Sequence, residues 1–183
     1  SSPTSSYYIL FNITFSKECA GLILNEIGTT GAINLSNFQT INNNSYEIGV
    51  TPLQDGEFSI NIPAGVCQSG AINNSASITP YTLIHDSSSP IPSLSVNGNV
   101  PTNSSPFPVV VSFSETVYGF TQYDIIIANG TISNFFGSGS NFSFDLTPYS
   151  NTSNINIEFD DNICLDAATN HNTNLNTINI NKD

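Results

Sequence analysis

Apolar and polar residues alternate one by one along much of this chain. Phe142, Phe144 and Leu146 alternate with Ser143 and Asp145, and Ile155, Ile157 and Phe159 alternate with Asn156 and Glu158. Ile9, Phe11, Ile13 and Phe15 fall on one side of an extended segment in the same way, as do Tyr46, Ile48 and Val50. A period of two places every second side chain on one face of a strand. No segment carries the helical period. In the second half the pattern predicts strands over Ile91–Asn97, Phe107–Phe113, Asp124–Asn129, Thr131–Phe136, Asn141–Thr147, Asn154–Phe159 and Asn174–Ile180. Turn signals separate them at Asn97-Gly98, Asn129-Gly130 and Gly137-Ser138-Gly139, and Asp55-Gly56 marks a turn in the first half. Seven short strands in about 97 residues, punctuated this way, predict an all-β Greek-key sandwich with apolar inner faces and polar outer ones.

The pattern is written twice. Residues 15–28 (FSKECAGLILNEIG) reappear as residues 113–126 (FSETVYGFTQYDII), an offset of 98. Asn37-Phe38 recurs as Asn134-Phe135, Thr51-Pro52 as Thr147-Pro148, Val66-Cys67 as Ile163-Cys164, and Asp86 as Asp183, at offsets of 97, 96, 97 and 97. So constant a register implies a tandem duplication of one unit, with domains at 1–86 and 87–183. Subtracting the offset from Ile91–Asn97 puts its counterpart ahead of Ser1. The first unit is therefore expected to lack its first strand, leaving an open sheet edge and part of a core exposed. Two explanations stand side by side. The strand lies upstream in a longer array, or another subunit supplies it by strand addition. Ser1 in place of Met is expected to reflect processing or excision from something longer.

Composition narrows the function. Only 9% of residues are charged, yet the net charge is −12, and Lys17 and Lys182 are the only basic side chains. Without a basic face, nucleic acid is excluded as a partner and an anionic membrane surface is disfavoured. No apolar run reaches about 18 residues, so no membrane insertion is expected. Asn (26), Ser (26) and Thr (17) exceed a third of the chain. Such polarity alone would suggest disorder, but its interleaving with Ile, Val and Phe points to the outer faces of sheets. The three cysteines, Cys19, Cys67 and Cys164, show no CxxC spacing, which argues against zinc, and no cofactor motif is present.

The second unit resembles the bacterial-type Ig-like repeats of very large surface adhesins and hyalin-like matrix proteins. The residues that carry the resemblance are Phe113-Ser114-Glu115, Val117, Gly119-Phe120-Thr121, Asp124-Ile125, Asn129-Gly130-Thr131, Asn134-Phe135, Gly137-Ser138-Gly139, Thr147-Pro148, Asp166, Ala168, Asn170 and Asn172. The first unit shares it more weakly. It reads Lys17-Glu18-Cys19 and Gly21-Leu22-Ile23 in the loop, and Ser69 replaces the Asp matched by Asp166. Thr169 stands where such repeats usually carry Gly. The resemblance implies two tandem Ig-like sandwiches, the first without its N-terminal strand, and an extracellular or cell-surface role without catalysis. The function expected is that of a structural subunit of a fibre or surface filament, self-associating into a polymer or forming part of a longer tandem array. The alternative is an adhesin stalk or binding module that recognises a glycan or a host protein.

The remaining candidates are local. Cys19 follows the second strand position and Cys67 the sixth. In a Greek-key sandwich those loops share one end, so a Cys19–Cys67 disulfide is expected, closing a loop of about 48 residues for about 4 kcal/mol in the loop-entropy model. Cys164 then has no partner, because Val117 occupies the position equivalent to Cys19. It reads as a buried thiol or as an intermolecular link. N-glycosylation sequons occur at Asn12, Asn34, Asn43, Asn73, Asn103, Asn129, Asn141 and Asn151, a number close to chance for this composition, so placement must decide which could carry N-linked glycans. Asp160-Asp161-Asn162 with Asp166, Asn170 and Asn172 could offer oxygens to calcium, but turn chemistry explains them more simply. His85 and His171 are the only histidines and sit in no catalytic motif. Tyr118 and Tyr123 flank the loop expected to serve as a contact surface.

Overall fold

The structure is a computed structural model that describes residues 3–77, 79–96, 105–150 and 154–181. The chain divides into two compact units, Ser1–Ser87 and Ser88–Asp183.

Unit 2 contains β9 (Pro92–Val96), β10 (Phe107–Val117), β11 (Ile126–Ala128), β12 (Gly130–Pro148), β13 (Asn154–Phe159) and β14 (Leu175–Asn181). They form two three-stranded sheets, β12-β10-β9 and β11-β13-β14, with all pairs antiparallel. The alternating residues of the sequence become the core between them. Val109, Val111, Leu146, Ile155 and Ile157 are completely buried, and Phe142, Phe144 and Phe159 nearly so. Burial of each such side chain stabilises the fold by about 1.5–3 kcal/mol. Phe120 closes one end of this core, with its ring against those of Phe113, Phe142 and Phe159 at centroid distances of 5.0 to 5.5 Å.

Unit 1 contains β1 (Ile9–Thr14), β2 (Gly28–Thr30), β3 (Ile33–Asn42), β4 (Ser45–Pro52), β5 (Gly56–Asn61), β6 (Gln68–Ser69), β7 (Ile72–Asn73) and β8 (Tyr81–His85). Its sheets are β1-β4-β3 and β2-β5-β8, with β6 and β7 forming a small hairpin. The two units match at the level of individual rings. Phe38 stacks on Tyr46 at 5.5 Å and 12°, and Phe135 stacks on Phe142 at 5.9 Å and 18°. Phe15 meets Tyr46 edge-on at 6.1 Å and 86°, and Phe113 meets Phe142 at 6.1 Å and 85°. These residues stand 96 to 98 positions apart, the same offsets as the sequence repeat.

The predicted turn at Gly137-Ser138-Gly139 folds β12 back on itself as a hairpin: Asn134 donates to the Asp145 carboxylate at 2.7 Å across it, and Tyr149 N–H donates to the Asn129 carbonyl at its open end. Gly137 and Gly139 have φ of 136° and 66°, and a Cβ on Gly137 would collide with the backbone of Asn141 and Phe142. Glycine tolerates both the angle and the approach. The equivalent arms in unit 1 are the paired strands β3 and β4. The predicted Asn97-Gly98 turn lies outside the described residues.

Candidate functional site

Cys19 and Cys67 are joined by a disulfide with their Cα atoms 5.1 Å apart. The bridge is buried in the unit 1 core. Tyr46 donates its hydroxyl hydrogen to the Cys19 carbonyl, and Ala20 and Gln68 exchange backbone hydrogen bonds beside it. In unit 2 Tyr118 and Leu165 exchange the same pair of bonds, while Val117 and Cys164 fill the space with no bridge. Cys164 is buried, and burial, with the Asp124 carboxylate nearby, pushes its thiol up to about 11. A buried, protonated thiol is a poor nucleophile, so this side chain acts as packing and is not presented for an intermolecular link.

The acidic and Asn-rich segment of unit 2 is occupied with itself. Asn172 is buried. Its Oδ1 accepts from the backbone N–H groups of Ile163 and Cys164, and its Nδ2 donates to the carbonyls of Asp160 and Thr173. Asp166 accepts from the backbone N–H and the side-chain amide of Asn170. Asp160, Asp161 and Asn162 remain exposed. Asn74 makes the equivalent bonds in unit 1, accepting from Cys67 N–H and donating to the carbonyls of Pro63 and Ser75. That a unit without the acidic residues keeps the same arrangement marks it as loop bracing, with the side-chain amide standing in for a turn of backbone. Sequence reasoning overlooked Asn74. The offset of 98 from Asn172 was the signal that could have found it.

The two histidines are far apart in kind. His171 is exposed. His85 is buried, with Nδ1 3.1 Å from an Asp55 carboxylate oxygen and its ring edge-on to Tyr7 at 5.8 Å. The Asp55 oxygen nearest to His85 also accepts from the Ser87 N–H and hydroxyl, which ties the end of β8 to the β4–β5 turn. Tyr118 and Tyr123 are 56% and 86% exposed. Thr121 and Asp124 lock the loop between them by reciprocal bonds. Tyr118 borders a shallow cleft of about 310 Å³ with Gly119, Phe120 and the Gly137–Gly139 bend, and Tyr123 is not among the residues lining it. Of the sequon asparagines, Asn12, Asn34, Asn43, Asn73, Asn129 and Asn141 are exposed, whereas Asn103 and Asn151 lie outside the described residues.

The largest difference between the units is at one sheet edge. In unit 2, β10 is central, flanked by β12 and β9. In unit 1, among the described residues, β1 pairs with β4 alone. Its inward residues Ile9, Phe11, Ile13 and Phe15 are only partly buried, whereas their counterparts Phe107, Val109, Val111 and Phe113 are at most 6% exposed. Beside β1 lies a groove of about 420 Å³, walled by Phe11 and Ile13 on one side and Ile60, Ile62, Tyr81 and Leu83 on the other. Tyr81 stands edge-on to Phe11 at 5.4 Å.

Residues 86–181 match the family model described as a bacterial Ig-like domain. No curated protein matches the chain. Among solved structures, domains 5-6 of the S-layer protein SbsC align with 99% of this chain and 91% of their own at 12% identity and a TM-score of 0.27. Among the described residues no helix is long and apolar enough to cross a membrane.

Proposed function

Because the chain belongs to the bacterial Ig-like domain family, we propose that it is a structural module of an extracellular or cell-surface protein, serving as a subunit of a fibre or surface filament or as part of a longer tandem array. The observation that carries this reading is the duplication itself, two compact units whose ring contacts match from copy to copy. A disulfide in unit 1 fits an oxidising, extracellular setting. The exposed sequon asparagines give room for N-linked glycans on the outer faces. The module works through shape and packing and not through turnover, since its buried polar side chains are spent on bracing loops. Electron microscopy of the native material is the test. Filaments with a regular subunit repeat are expected, and dispersed particles would overturn the fibre.

The second reading is an adhesin module, favoured by exposed Tyr118 at the mouth of its cleft. An aromatic face beside a shallow cleft suits a sugar ring or a partner side chain. Glycan-array binding that disappears in Tyr118→Ala would support it, and an array with no signal would remove it.

A further inference from the structure

We propose that unit 1 is a tension-bearing tether with a covalent stop: the parallel pairing of Thr4 with β8 takes load in shear, and the Cys19–Cys67 bridge keeps the core out of the load path until it is reduced. This rests on the structural-module reading above and specifies how that module answers a pull along the chain.

Thr4 lies beside His85 in a parallel bridge. Its N–H donates to the Ile84 carbonyl at 2.9 Å, and its own carbonyl accepts from the Asp86 N–H at 3.0 Å. In a parallel pair the N-terminal end of one segment and the C-terminal end of the other point in opposite directions. A pull that enters ahead of Thr4 and leaves beyond Asp86 therefore slides the two segments past each other, and both bonds carry the load at once. In an antiparallel terminal pair the bonds would open one after another. Each side of this clamp is anchored. Asp55 accepts from the Ser87 N–H and hydroxyl, both at 2.8 Å, and lies 3.1 Å from His85 Nδ1. Tyr7 meets the His85 ring edge-on, and the Tyr8 hydroxyl accepts from the Asn37 amide at 2.8 Å.

The bridge divides the unit. β2, β3, β4 and β5 lie between Cys19 and Cys67, whereas β1 and β8 lie outside. The buried side chains of the unit 1 core, from Leu22 to Ile60 with the two cysteines at its limits, all fall within that bracket, and β1 and β8 pack on them from outside. Once the clamp slips, force runs from β1 through Cys19 and the sulfur–sulfur bond to Cys67 and out along β8. β1 strips from β4 and β8 from β5, while nothing inside the bracket is pulled. Thr4 and Asp86 stand 82 positions apart and the bridge takes 48 of them out of the path, which leaves roughly 34 that extend to about 110–120 Å. Both cysteines are only 2% exposed in the folded unit. Phe15, Lys17, Ser69 and Ile72, which line a cleft beside the bridge, stand outside the bracket and leave with the stripped segments. The bridge is then open to a thiolate. The thiolate bonds to one sulfur, the Cys19–Cys67 bond breaks, and the displaced sulfur leaves as a thiolate that takes a proton from water. That step frees 48 residues, about 160–170 Å of chain. Unit 2, with Val117 and Cys164 in place of the bridge, has no such stop.

The test stretches the full chain between handles at its two ends in a single-molecule force measurement, with and without a thiol reductant. Forced unfolding reads the unfolding barrier, so a clamp loaded in shear shows as a force peak. Without reductant, a short step of about 110–120 Å with such a peak is expected from unit 1, besides a longer one of roughly 300 Å from unit 2. With reductant, each short step is followed by a further gain of about 160–170 Å, and that gain never precedes the short step. Thr4→Pro removes the N–H donated to Ile84 and should lower the force of the short step by roughly half, with its length unchanged. The measurement in reductant keeps the test decisive if that variant fails to fold. Elongation of unit 1 without a force peak would overturn the clamp, as would an unchanged force in Thr4→Pro. The long gain arriving ahead of the short step, or never following it in reductant, would overturn the stop. Native filaments whose chains show no short step would remove the tether and leave the structural module standing. The expected steps from a chain whose native particles are dispersed would do the reverse.

Discussion

Thr169 has φ of 71°, a left-handed conformation that a β-branched residue adopts only under strain. It sits in the turn where Asp166 and Asn170 hold each other, so the bonds around it keep it there. Replacing Thr169 with Gly should raise the stability of unit 2 by on the order of 1 kcal/mol, read as a higher midpoint in denaturant melts. A neutral or lower midpoint would show that the threonine side chain contributes more than its backbone costs. Asn37 and Asn134, with φ of 50° and 53°, mark the same left-handed position in both units. Asn tolerates this angle better than most residues do, which is why the Asn-Phe pair reads so clearly as a landmark of the repeat.

At the scale of elements, the buried asparagines decide how the loops close. Asn172 ties residues 160, 163, 164 and 173 together through one side chain. Asn172→Ala leaves buried backbone groups without partners and should destabilise unit 2 by roughly 2–4 kcal/mol. Chemical denaturation of the full chain checks it, with the unit 1 transition unmoved. A cost near zero would mean that water replaces the amide and that the loop is more open than the structure shows. The sheets differ in a comparable way. β10 has partners on both edges and β1 on one, so identical alternation gives complete burial in one unit and partial burial in the other.

At the scale of the whole molecule, two units with separate cores imply two melting transitions that respond to different reagents. Only unit 1 carries the Cys19–Cys67 bridge, which closes a separation of 48 residues. Reduction should weaken that unit by about 4 kcal/mol and leave the other unchanged. Calorimetry with and without a thiol reductant separates them, and a single transition that shifts as a whole would mean that the units melt as one.

The sequence alone determined the local and periodic features. Alternation at period two dictates which side chains face inward, since a strand turns each residue to the opposite side of its neighbour. The constant offset dictates that whatever one copy forms, the other repeats, as the paired rings of Phe38 with Tyr46 and Phe135 with Phe142 show. Only the tertiary structure decided the rest. The bracing by Asn74 depends on loops brought together from distant positions. The groove is a shape between two sheets, and no stretch of sequence contains it. Periodicity is a property of neighbours along the chain, whereas an open edge and the walls around it are set by what lies beside the chain in space.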